Sequence, residues 1–148
     1  MKTYLAHLAQ TPVSPPHRST ADPGGRDERQ IGKRVSVTQF GVNHLTLGPG
    51  AMTARRHWHE AEDEFVYVLS GAVTLVDDNG DHDLKPGTFV GFPAGAANAH
   101  HLVNRSGAPA ELMVVGTRKV GEERIHYPDQ SDPGPFTIVS DAHGDRVG

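Results

Sequence analysis

The stretch His57-Trp58-His59-Glu60-Ala61-Glu62-Asp63-Glu64-Phe65-Val66-Tyr67-Val68-Leu69-Ser70-Gly71 decides the reading of this chain. Residues i and i+2 of a strand project to the same face. On a strand, His57 and His59 therefore send two imidazoles into one space, a spacing that suits a single metal ion. Glu64 opens the next run, where alternation puts it in phase with Val66 and Val68. A tight connection over Glu60–Asp63 can fold the Glu64 carboxylate back toward the same ion, and Asp63 is the rival ligand.

Outward from this segment, short β-branched and aromatic runs alternate with turn residues. Strands are expected at Val35–Phe40, Val42–Leu47, Ala51–His59, Glu64–Leu69, Val73–Val76, His82–Leu84, Thr88–Phe92, His100–Asn104 and Glu111–Thr117. Gly48-Pro49-Gly50, Gly71 and Lys85-Pro86-Gly87 punctuate them. Asn79-Gly80 reads as a hairpin turn. Its acidic neighbours lack the ligand spacing and flanking helices of a calcium loop. Many short antiparallel strands in one chain of 148 residues predict a single all-β sandwich or barrel.

The apolar fraction, 36%, is low for a fully globular chain and implies polar ends. Residues 1–32 read as an N-terminal arm, either flexible or docked on a partner subunit. Residues 33–120 read as the barrel domain, and residues 121–148 as a C-terminal tail, in which His126 and Tyr127 could instead close over the barrel mouth. With net charge −4 and no basic cluster, no nucleic-acid partner is expected. The absence of cysteine excludes disulfides and thiolate ligands. Met1–Gln10 is too short an apolar stretch for a signal peptide or a membrane span, so no membrane partner and a cytoplasmic location are expected.

A histidine from a distant strand, His100 or His101, can complete the ligand set. Imidazole with carboxylate suits Zn, Fe, Mn, Ni or Cu, without choosing among them. Three neutral histidines and one glutamate leave a divalent ion at net +1, and an octahedral ion would keep two open positions. Arg55 shares strand parity with His57 and His59. It reads either as a clamp for a substrate carboxylate or phosphate, or as a salt-bridge residue at the barrel mouth. Trp58 and Tyr67 fall on the opposite parity and read as outer-face or interface residues.

Gly50 through Gly71, with His57, His59 and Glu64 between, resembles the first conserved cupin motif. Gly87-Thr88-Phe89-Val90-Gly91-Phe92-Pro93-Ala94-Gly95 resembles the start of the second, and His100-His101-Leu102-Val103-Asn104 its end. The chain departs from the pattern by two extra residues between Gly95 and His100, and Asn98 occupies the usual motif position. Counting back four from Asn104 selects His100 as the fourth ligand, which leaves His101 as a substrate contact. The resemblance implies a double-stranded β-helix, that is, a jelly-roll β-barrel, with one divalent ion held by His57, His59, Glu64 and His100. It also implies a metal-dependent enzyme acting on a small polar or anionic molecule. Oxygenase, isomerase, decarboxylase and lyase chemistry are all compatible with it, and no catalytic residue beyond the ligands is singled out. The competing readings are a sugar- or metabolite-binding module with a structural ion, and a metal-free interaction barrel. Exposed sheet edges call for protection, which a homodimer would supply.

Overall fold

The computed structural model describes residues 3–14, 24–129, 136–140 and 146–147. Residues 1–2 and 15–23 of the expected arm, and 130–135, 141–145 and 148 of the expected tail, lie outside the described residues. Among the described residues, a 3-10 turn (Leu8–Gln10), one short α-helix and twelve strands order along the chain, the helix and strands as β1 (Arg26–Arg29), α1 (Ile31–Arg34), β2 (Phe40–Leu47), β3 (Trp58–His59), β4 (Glu64–Ser70), β5 (Val73–Asp77), β6 (Gly80–Leu84), β7 (Phe89–Phe92), β8 (His101–Val103), β9 (Ala110–Thr117), β10 (Arg124–Tyr127), β11 (Phe136–Ser140) and β12 (Arg146–Val147). The fold is all-β, a jelly roll of antiparallel sheets.

One sheet runs β1-β2-β9-β4-β7. Facing it are β6-β5-β8 and β12-β11-β10-β3, which bridges at Met52–Val103 and His57–His100 join along the segment before β3. Alternation fills the space between: Leu45 and Leu47 of β2, Val66 and Val68 of β4 and Leu112 of β9 meet Val73, Leu75 and Leu102 from the opposite side. These side chains are almost wholly removed from water, and each such burial is worth about 1.5–3 kcal/mol. The opposite parity of the five-stranded sheet leaves Phe40, Phe65 and Phe89 exposed on its outer face.

Three local expectations need correction. Val35–Phe40 is not a strand: α1 precedes it, Ser36 turns through a left-handed φ of 64°, and pairing begins only at Phe40. Ala51–His59 follows β8 through scattered backbone bonds, to Asn104, Leu102 and His100, and becomes a regular strand only at Trp58–His59. Arg124–Tyr127 is not a loose polar tail. It pairs with β3, Ile125 opposite His59 and His126 opposite Trp58, and buries Ile125 and Tyr127. In the N-terminal segment, β1 pairs with β2 of its own chain.

Gly71 explains its own position. It adopts φ +74°, and a Cβ there would lie 2.6 Å from the Pro109 carbonyl oxygen and 2.7 Å from Ala110 Cα. The turn from β4 to β5 thus packs backbone on backbone against the start of β9, which only glycine permits.

Candidate metal centre

His57 and His100 are joined by a reciprocal antiparallel bridge, so their side chains stand on the same side. His59 follows two residues later on that side. Glu64 opens β4 in the facing sheet, in phase with Val66 and Val68, and points inward. Directly opposite Glu64 on β7 is Phe92, whose ring stacks on His100 with centroids 3.4 Å apart. Phe92 thereby fixes the plane of the imidazole that reaches back to Glu64.

The result is a convergence on one atom. Glu64 Oε2 lies 3.2 Å from His100 Nε2, 3.4 Å from His59 Nε2 and 3.7 Å from His57 Nε2. The ligand atoms of His57, His59 and Glu64 lie within 4.8 Å of one another. His57 and His100 are buried; His59 and Glu64 are largely so. Burial by itself would raise the Glu64 carboxyl, but the facing imidazoles of His100, His57 and His59 outweigh it and hold the group well below the ordinary carboxylate range, so Glu64 stands as an acceptor-only carboxylate.

The other nitrogen of each ring states which proton it carries. His57 Nδ1 sits 2.7 Å from the Arg55 carbonyl oxygen and His100 Nδ1 2.8 Å from that of Asn98. A carbonyl only accepts, so both Nδ1 atoms bear hydrogen. His59 Nδ1 lies 3.3 Å from Glu123 Oε1 and donates likewise. Neutral rings then aim three Nε2 lone pairs at a carboxylate oxygen, four acceptors facing one another with no donor among them. A single extra proton would satisfy one contact and leave the others opposed. Three imidazolium rings would crowd like charges at ring separations of about 5 Å. A cation among the four atoms removes the conflict, and the donor set fits one.

The remaining expected site residues fall elsewhere. His101 does not join the cluster: its Nδ1 bonds the Ala54 carbonyl oxygen at 3.0 Å, and burial, opposed by that bond, lowers its pKa. Arg55 is exposed, and its backbone carbonyl is what orients His57. Its neighbour Arg56 pairs with Asp78 and Asp129. Asn98 ties the motif loop to the β5–β6 turn, donating to Asp77 and accepting from the Asp78 N–H. Asp63, the rival ligand, accepts from the Ala94 N–H. Asn104 is fully buried and fully satisfied: its amide donates to the Leu47 and Ala108 carbonyls and its oxygen accepts from the Ser106 N–H and hydroxyl.

Of two further residues at the site, Glu123 carries no sequence signal and Tyr127 is one of the pair that reads as tail or as closing the barrel mouth. Glu123 is buried against His59, and Tyr127 is buried with its ring 5.5 Å from that of His57. Both belong to the segment expected as tail.

The cupin domain family matches residues 43–116, half of the chain and every one of the four converging residues. The chain belongs to the cupin family. Among solved structures, this cupin is similar to a sugar phosphate isomerase of the cupin superfamily from Silicibacter pomeroyi, at 40% identity over 95% of this chain and 90% of that one, with TM-score 0.83. It is also similar to a candidate sugar phosphate isomerase from Acidithiobacillus ferrooxidans, at 30% identity over 82% and 74% of the two chains, with TM-score 0.73. A polyketide cyclase from Streptomyces resistomycificus, 23% identical over 80% and 81% of the chains with TM-score 0.64, shares the fold. No curated protein matches the chain. No helix among the described residues is long and apolar enough to cross a membrane.

Proposed function

We propose that this cupin is a metal-dependent isomerase of a small phosphorylated sugar, with one divalent ion held by His57, His59, Glu64 and His100. The observation that carries the metal is the convergence of three Nδ1-protonated imidazoles on one carboxylate oxygen. The substrate class is supported by the 40% identity, over nearly the full length of both chains, to the Silicibacter sugar phosphate isomerase.

A bound divalent ion would supply Lewis acidity for the carbonyl and adjacent hydroxyl of an open-chain sugar. The chain supplies the rest. Isomerisation moves one proton between neighbouring carbons and one between their oxygens, with no net redox change and no co-reactant. With a divalent ion bound, three neutral rings and one carboxylate would leave the centre at net +1, an environment that would favour negative charge on substrate oxygens. Phe92 and Tyr127 wall the imidazoles of His100 and His57 with apolar surface and exclude water on those sides. Arg55, exposed two residues before His57, is assigned to the substrate phosphate.

The outer face carrying Phe40, Phe65, Leu69 and Phe89 is assigned to a homodimer contact. Phe89 stacks on both Phe65 and Tyr67 there, and clustered aromatics are the composition of interface cores.

The test is isotopic. The purified, metal-loaded protein is incubated with aldose and ketose phosphates in deuterated water and followed by NMR. Metal-dependent interconversion with exchange at the carbon next to the carbonyl is expected. No turnover of any phosphorylated sugar, together with metal-dependent turnover of another substrate class, would contradict the proposal.

A further inference from the structure

The three imidazoles are not held alike. His57 and His100 each donate from Nδ1 to the backbone carbonyl two residues earlier, Arg55 and Asn98. His59 donates to a carboxylate, Glu123 Oε1, and that residue lies outside the segment the cupin family matches. Glu123 is only 2% exposed. Its other oxygen accepts from the Ala61 N–H at 3.3 Å, and among the described residues no lysine or arginine pairs with it. A buried carboxylate without a fixed cationic partner is costly. Here the compensating charge is a ring that gains positive character when its Nε2 binds a cation.

The placement is built by the backbone. The turn Lys119–Glu122 closes with N–H bonds from Glu122 and Glu123 to the Lys119 carbonyl. From there β10 runs antiparallel to β3, with Ile125 opposite His59. The Glu60 N–H donates to the Arg124 carbonyl, and Glu60 accepts from His126 Nε2 at 2.8 Å. His126 in turn stacks on Trp58 at 4.2 Å. The segment after the family match is thereby clamped onto the strand that carries His57 and His59.

We propose that Glu123 is a positioning residue for His59. Its carboxylate holds the imidazole in the Nδ1-protonated tautomer with Nε2 aimed at Glu64, and strengthens it as a donor. This rests on reading His57, His59, Glu64 and His100 as the metal centre. The rival arrangement is a cation held by His59, Glu62 and Glu123 themselves, whose ligand atoms also lie within 4.8 Å of one another. It would need a lone pair on His59 Nδ1. The hydrogen would then sit on Nε2, which would donate to Glu64 and have no lone pair left for an ion there, so the two sites compete for one ring. Glu62 is already engaged, accepting from the Lys119 N–H at 2.7 Å.

The test uses the full chain as wild type, Glu123→Gln, Glu123→Ala, His59→Ala and the His59→Ala/Glu123→Ala double variant. Cobalt(II) and zinc affinities are measured by chelator competition, with cobalt absorption spectra and the thermal midpoint of each metal-free protein. Glu123→Gln and Glu123→Ala should weaken binding by roughly 10- to 100-fold and shift the cobalt spectrum. In the His59→Ala background, loss of Glu123 should weaken binding no further, because Glu123 acts through that ring. Wild-type affinity in both single variants would overturn the proposal, as would an equal loss in the His59→Ala background. Two ions per chain with one lost on Glu123→Ala would overturn it in favour of the rival site. If His59→Ala itself binds metal as tightly as wild type, the reading of the centre fails and takes this inference with it.

Discussion

His57 and His100 exchange both of their backbone hydrogen bonds, N–H to carbonyl in each direction, at 3.2 and 3.0 Å. Residues paired this way share a face. The bridge is therefore what places imidazoles 43 positions apart in the chain side by side, with centroids at 5.1 Å. It also divides the His100-His101 pair, because the next residue of a strand must face the other way.

That division predicts opposite outcomes for neighbouring substitutions. His100→Ala should lose the ion, and His101→Ala should keep one ion per chain. Elemental analysis of the two purified variants checks this. Loss of the ion from both, or only from His101→Ala, would place the strand in the wrong phase.

Asn104 uses its whole amide to join β2, the end of β8 and the loop into β9. Asn104→Ala removes the buried bond to the Leu47 carbonyl and the acceptor of the Ser106 N–H, and should destabilise the fold by about 1–3 kcal/mol. Urea unfolding measures the loss, and metal stoichiometry should not change. An effect under about 0.5 kcal/mol would mean water replaces the amide at little cost.

Gly71 and Gly50 separate strain from clash. Both have positive φ, but a Cβ at Gly50 meets nothing within 4 Å, whereas one at Gly71 meets the Pro109–Ala110 backbone. Gly50→Ala should cost about 1 kcal/mol from backbone conformation alone. Gly71→Ala should cost about 3 kcal/mol or more, since strand β9 must move. Equal losses in thermal or urea denaturation would contradict the close approach.

Acid stability should carry a term from Asp77. Burial opposes its charge, but the Asn98 side chain, the Asn79 N–H and His82 bond to it and bring its carboxyl below the ordinary 3.8. A carboxyl lowered in the folded state stabilises it above the unfolded pKa, and this is lost as pH falls through the folded value. The stability difference between wild type and Asp77→Asn should therefore be constant near neutral pH and shrink below about pH 4. A difference that stays flat down to about pH 3 would show that the charge contributes nothing.

The homodimer assignment places Phe65 and Phe89 at its centre. Phe65→Glu and Phe89→Glu should each yield monomers by light scattering while retaining the ion. A wild-type chain that is monomeric at concentrations of about 100 μM would contradict the contact.

Much of this architecture was legible because strands β4 through β9 alternate over several residues between Gly-rich turns, and the HxH pair with Glu64 sits where that alternation points inward. The rest was hidden for local reasons. Val35–Gln39 alternates like a strand, but the preceding helical turn and the left-handed Ser36 take it out of the sheet. β10 has only two apolar residues, Ile125 and Tyr127, so its pairing with β3 leaves little trace in composition. Glu123 follows Glu122, and nothing nearby distinguishes the buried carboxylate from the exposed one. Its role depends on the register of β10 against β3, which is a tertiary fact.

The most direct measurement is X-ray absorption on the zinc-loaded protein, wild type beside a His57→Ala/His59→Ala/His100→Ala variant. The account predicts one zinc per wild-type chain with multiple-scattering features of three imidazoles at about 2.0–2.1 Å, and none retained by the variant. A stoichiometric ion lacking imidazole scattering, or one held equally well without the three rings, would contradict it.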